Sequence, residues 1–185
     1  MAVTPSSMVV LGLPATDFRL KDTEGAPFQL SDIRGKRGTL IFFLCNHCPY
    51  VIHIRGKLAE LTRWAIDNGI GVAGINSNDV RNYPDDSPEK MKIEKKAAGY
   101  AFPYLFDETQ SIARAYQAAC TPDFFLYDKN LKLVYRGQFD DSRPKSDIPV
   151  TGKDLKTAMF CLLESKPVSK DQKPSLGCNI KWKTT

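Results

Sequence analysis

The chain has 185 residues, 42% of them hydrophobic and 25% charged, with 26 Lys and Arg against 21 Asp and Glu for a net charge of +5. That is enough for one domain, residues 1–185, with a sizeable core and no disulfide staples, and no apolar run approaches the roughly 20 residues a membrane span requires. Charges of both signs are interleaved, and the one basic cluster, residues 166–183, is mixed with Pro, Ser and Thr, so it reads as a solvated tail and gives nucleic-acid binding no support.

Residues 8–37 read as an N-terminal β extension. Phe18, Leu20, Phe28 and Leu30 are the apolar positions of two strands, and residues 21–25 are the turn between them. Residues 40–44, LIFFL, form the continuous apolar run of a buried strand. Pro49 suits the first turn of a helix over 49–68, in which Val51, Ile54, Leu58, Leu61 and Ala65 recur at three- and four-residue steps until Asn68 and Gly69. A strand at 70–75 completes a β-α-β unit with a parallel pair, which sets the class as α/β.

Residues 77–102 read as an insertion, a loop rich in Asn, Asp and Pro followed by a charged helix from Ser87 to about Gly99. A short strand at 103–106 and a helix at 108–119, with Ile112, Ala115 and Tyr116 on one face, come next. Residues 124–127 and 131–135 predict an antiparallel hairpin. Thr151 with Asp154 predicts a capped last helix carrying Leu155, Met159, Leu162 and Leu163 and stopped by Pro167. Residues 164–185 predict a mostly irregular tail that docks through Leu176, Ile180 and Trp182.

Five cysteines, an odd and scattered set, fit a reducing compartment and catalytic use of some thiols. The first residues, MAVTPSSMVVLGLP, lack the basic leader of a secretory signal, so a cytoplasmic location is expected. Cys45 and Cys48, separated by Asn46 and His47, stand where the apolar strand meets the helix, and C-x-x-C at such a junction is a redox signature. The amides and dipole of the helix start favour negative charge. This predicts an exposed, acidified Cys45, with Cys48 one turn inside. His47 can stabilise a thiolate and make the couple more oxidising, and Asn46 can donate a hydrogen bond to it.

The CNHCP block resembles the thioredoxin superfamily. Upstream, Gly12, Pro14, Asp17, Phe18, Leu20, Asp22, Gly25, Leu30, Ser31, Asp32, Gly35 and Lys36 follow the pattern of its peroxiredoxin and thiol-reductase branches. Downstream, Thr121 and Pro122 open TPDFFLYD, like the segment where the superfamily places a cis-proline facing the cysteine pair. With the PSLGCNIKW tail, the match is to a peroxiredoxin-like, AhpC/TSA-related subgroup of bacterial thioredoxin-fold proteins. The resemblance implies a thioredoxin-like fold, a central mixed sheet flanked by helices. It further implies a thiol-disulfide oxidoreductase without cofactor, Cys45 as nucleophile and Cys48 as resolving thiol. The backbone at Thr121 and Pro122 would then pair with an extended segment of the partner, and Cys120 could come near the pair as a third redox thiol. Cys161 is expected in the core, and Cys178 lies in the tail signature.

The implied partner is a disulfide-containing protein or small thiol, with a cellular dithiol reductant or oxidant, and neither nucleic acid nor membrane. Some positions depart from the better-known branches: Leu44 replaces a tryptophan and Thr39 a buried acid. Peroxidase or antioxidant chemistry at Cys48 is the alternative, although Ile41 and Cys45 fall where the peroxiredoxin pattern has proline and threonine, and no arginine accompanies Thr121-Pro122. A second alternative is a zinc or copper carrier using Cys45, Cys48 and a third ligand from Cys120, His47 or His53, disfavoured because one C-x-x-C is half the usual ligand set.

Overall fold

The computed structural model describes residues 3–184. Its frame is a mixed seven-stranded sheet in the order β3 (Pro27–Gln29), β2 (Arg19–Asp22), β6 (Tyr104–Phe106), β5 (Ile70–Asn76), β4 (Gly38–Phe43), β8 (Asp123–Tyr127), β9 (Leu133–Tyr135). The central strand β4 (Gly38–Phe43) lies parallel to β5 (Ile70–Asn76) and antiparallel to β8 (Asp123–Tyr127). Its six residues are all buried because both faces are covered. Leu40, Phe42 and Leu44 face one core with Val51, Ile54 and Leu58 of α2 (Pro49–Asp67) and Leu155 and Met159 of α5 (Lys153–Leu163). Ile41 and Phe43 face the other, with Ile33 of α1 (Leu30–Ile33) and Ala113 of α4 (Ser111–Ala115).

The expected elements are present with specific differences. The N-terminal hairpin joins β2 (Arg19–Asp22) to β3 (Pro27–Gln29). The inserted helix α3 (Pro88–Ala98) has Ser87 as its N-cap and ends at Gly99, which takes the left-handed conformation, φ 71°. The strand β6 (Tyr104–Phe106) pairs with β5, and β8 forms the expected hairpin with β9 (Leu133–Tyr135). The helix expected over 108–119 shrinks to the five residues of α4, since Gln110 and Gln117 take positive φ and stop it at both ends. The cap expected from Thr151 and Asp154 is not made. Asp140 Oδ2 instead accepts from the amides of Thr151 and Gly152, and Asp154 Oδ2 accepts from Gln138 Nε2.

The main departure is at the tail. Residues 176–179 form a strand, β10 (Leu176–Asn179), in the middle of a second sheet between β1 (Val3–Pro5) and β7 (Cys120–Thr121). Cys178 stands opposite Thr121, and Asn179 opposite Cys120. Trp182 then docks under the Arg114 guanidinium, 4.4 Å from its ring centre. Isolated tail residues gave no period to read because their pairing partners lie more than fifty residues away.

Candidate active site

Cys48 is the N-cap of α2, with extended backbone angles, and Cys45 lies three residues earlier in the turn after β4. The helix start therefore bears on Cys48 and not, as expected, on Cys45. Cys48 Sγ is fully enclosed, 3.1 Å from the Thr121 carbonyl oxygen and 2.9 Å from Cys178 Sγ. Cys45 is 2% exposed, with its Sγ 3.3 Å from Thr121 Oγ1. The exposed tip anticipated for Cys45 is absent, because the turn folds inward onto the Thr121 segment.

This packing separates the acidities. Side-chain hydrogen bonding with Cys178 and then with Cys45, aided by the Val51 and Cys178 amides, holds Cys48 below the usual thiol range against the effect of burial. Cys45 moves the other way, raised by its hydrogen bond to Cys48, by burial and by the Asp86 carboxylate. Cys178 is raised by its bond to Cys48 and by burial. Acidity is favoured at Cys48 and opposed at Cys45, the reverse of the expectation, because the helix N-cap and the neighbouring thiols of Cys178 and Cys45 converge on Cys48.

Asn46 and His47 do not donate to either sulfur. His47 Nδ1 is 2.8 Å from Asp86 Oδ2, and this bond raises the imidazole above its usual value despite partial burial. Its ring stacks on Tyr83 at 5.6 Å. Asp86, wholly buried, also accepts from the Asn46 amide and from Asn78 Nδ2, both at 2.7 Å. The Asn46 side chain donates to the Asp85 carbonyl at 2.7 Å and accepts from Tyr104 OH at 2.9 Å. Both residues thus lock the C-x-x-C turn onto residues 83–86. Sequence reading missed Asp86, which sits in a segment legible only as a polar loop.

The Thr121-Pro122 bond is cis, as the resemblance implied. The backbone edge beside it is not open to an extended partner, however. Residues 120 and 121 pair with β10 of the same chain, and a Cβ at Gly177 would stand 2.0 Å from the Thr121 carbonyl oxygen, so only glycine permits the approach. Cys120 does not join the thiols. Its Sγ is 3.6 Å from the Pro122 carbonyl oxygen, and burial and Asp123 raise its pKa. Cys178 holds the place anticipated for Cys120. Cys161 is half-buried on α5 and not in the core. The acid that Thr39 replaces has no substitute at that position; Thr39 Oγ1 accepts from the Gly35 amide at 3.2 Å.

Among the described residues, one group could hold a metal ion: Cys45, His47 and Asp86, with ligand atoms within 4.8 Å of one another. The set differs from the one anticipated, since His53 Nε2 is bonded to Ser142 Oγ at 2.7 Å and Cys120 faces Pro122. It fits a metal poorly, because both Asp86 oxygens already accept hydrogen bonds.

The AhpC/TSA family model matches residues 11–136. The chain belongs to the AhpC/TSA family. This AhpC/TSA protein is 29% identical over 134 residues to the thiol-disulfide oxidoreductase ResA of Geobacillus thermodenitrificans, covering 70% of each chain. Its structure superposes on an uncharacterized conserved protein from Geobacillus kaustophilus with a TM-score of 0.98 and 49% identity, covering 100% of this chain and 98% of the other. The thioredoxin domain of a thiol-disulfide oxidoreductase from Bacteroides vulgatus matches with a TM-score of 0.61 and 17% identity, over 80% of this chain and 97% of that one. The fold of this AhpC/TSA member is thus thioredoxin-like, as the resemblance implied, with the cysteine pair at the β4–α2 junction and the cis-proline facing it.

Proposed function

We propose that the protein is a thiol-disulfide oxidoreductase whose exchanging sulfurs are Cys45 and Cys48, with Cys48 attacking and Cys45 resolving. The observation that carries this reading is the position of Cys48 Sγ at the N-cap of α2, with Cys45 and Cys178 as hydrogen-bonding neighbours. The family assignment and the ResA relative support the same reaction class. The roles are inverted relative to those the resemblance implied, because a thiolate and not a thiol is the nucleophile.

Cys48 thiolate attacks one sulfur of a partner disulfide, forming a mixed disulfide and releasing one partner thiolate, which takes up a proton. Cys45 loses its proton and attacks Cys48 Sγ, displacing the second partner thiolate. The Cys45–Cys48 disulfide forms and the partner gains two electrons. A charge held on Cys48 stabilises the reduced form, so the couple is poised as an oxidant relative to one with an ordinary thiol. With the edge at Thr121 occupied by β10, a compact disulfide suits the site better than an extended peptide. A cytoplasmic setting, with a cellular dithiol to restore the pair, belongs to the same proposal.

The acidified Cys48 also favours a second reading, peroxide reduction. Its thiolate would attack one peroxide oxygen, breaking the O–O bond and releasing the other oxygen as hydroxide, which takes up a proton to become water; Cys45 would then condense on the resulting sulfenic acid, forming the Cys45–Cys48 disulfide and releasing a second water. The arginine buried behind the cis-proline segment, Arg136, is committed to Asp123 at 3.0 Å and is not free to polarise a peroxide. Turnover of a small disulfide and of hydrogen peroxide on one preparation, with Cys48→Ser beside the parent, tests both. Disulfide turnover that vanishes in Cys48→Ser supports the first reading; parent-level disulfide turnover in that variant refutes it.

A further inference from the structure

A two-cysteine exchange leaves Cys178 without a role, yet its Sγ stands 2.9 Å from Cys48 Sγ, inside the non-bonded contact of two sulfur atoms. The backbone is built to bring it there. β10 is held on both sides, by β1 and by β7, in a register that sets Cys178 against Thr121. Gly177 allows the strand to lie directly on the Thr121 carbonyl. Ser175 Oγ donates to the Pro122 carbonyl at 2.9 Å, and the Ser6 amide donates to the Ser175 carbonyl at 2.8 Å. An extended strand paired beside the cis-proline, with a sulfur against the C-x-x-C, is the geometry of a bound disulfide partner, here supplied by the chain itself.

We propose that Cys178 is a second resolving thiol, which takes Cys48 over from Cys45. The inference rests on the exchange reading above. Cys178 loses its proton and its sulfur attacks Cys48 Sγ; the Cys48–Cys178 bond forms as the Cys45–Cys48 bond breaks. Cys45 leaves as a thiolate and takes up the proton. One disulfide replaces another, so no external oxidant or reductant is consumed. Thr121 Oγ1, 3.3 Å from Cys45 Sγ, is placed to donate to the departing sulfur. The result is a protein that stores its oxidation on β10 and returns Cys45 to the thiol state. A partner that binds as a strand at Thr121 must first displace β10 and with it this third thiol.

The test is disulfide mapping of the full chain, treated with oxidised glutathione, quenched in acid and digested without reduction. The parent should yield both Cys45–Cys48 and Cys48–Cys178 linkages, Cys45→Ser a Cys48–Cys178 linkage, and Cys178→Ser only Cys45–Cys48. Cys178 found as a free thiol in both the parent and Cys45→Ser, while Cys178→Ser forms Cys45–Cys48, overturns the proposal and leaves the exchange reading intact. Absence of any Cys45–Cys48 linkage in parent and Cys178→Ser overturns the exchange reading and this proposal together. The parent arm needs no substitution, so a folding defect in a variant cannot mimic either result.

Discussion

Cys48 Sγ and Cys178 Sγ touch at 2.9 Å across 130 residues of chain. The contact joins the N-cap of α2 to the middle strand of the terminal sheet, so the acidity of one sulfur depends on the docking of a distant strand. Stability of the tail and chemistry of the C-x-x-C are therefore coupled.

Gly177→Ala tests that coupling without touching a thiol. The new Cβ would stand 2.0 Å from a backbone oxygen, which cannot move aside as a flexible side chain could. Relief requires β10 to shift, at an overpacking cost of about 1–3 kcal/mol. The expected outcome is a lower denaturation midpoint, loss of the Cys48–Cys178 linkage and a Cys48 thiol moved back toward the ordinary range. Unchanged linkage and midpoint would show that β10 does not set the thiol.

Asp86→Asn separates the His47 contribution. Because Asp86 raises the His47 pKa above its usual 6.5, the pair's contribution to stability is fully present below the unfolded value and is lost as pH rises through the folded value. In the parent, the imidazole should titrate above the ordinary range by NMR. In Asp86→Asn it should fall to or below that range, since the opposing effect of burial remains, and this step in stability should flatten. A His47 titration unmoved by the substitution would contradict the assignment.

Asp123 follows the cis-proline and is fully buried with Arg136, whose guanidinium lies 3.8 Å from the Phe125 ring centre. Its Oδ2 also accepts from the Ala119 amide at 3.0 Å, bracing the Cys120–Thr121 strand from below. Asp123→Asn leaves an uncompensated buried guanidinium, and a loss of about 3–5 kcal/mol by denaturant unfolding is expected. A loss below about 1 kcal/mol would be that of a surface pair and would place the charge in solvent.

Much of this site can be read from local pattern. LIFFL, the C-x-x-C, Pro49 and the α2 stripe specify the β-α-β unit and put two thiols at its junction, and TPDF marks the segment facing them. What local pattern does not contain is the direction of the turn. Asn46 and His47 could have faced the thiols; they are drawn instead to Asp86, some forty residues away. Cys178 was hidden for the same reason, since four residues, LGCN, carry no strand signal until β1 and β7 supply hydrogen-bond partners on both sides.

The exchange proposed for the C-x-x-C depends on negative charge held at Cys48. Ultraviolet thiolate absorbance of the reduced protein, followed from acid to alkaline pH in the parent and in Cys48→Ser, measures it directly. A thiolate signal is expected in the parent already at neutral pH, absent in Cys48→Ser. A signal that rises only in the ordinary alkaline thiol range in both proteins would contradict it.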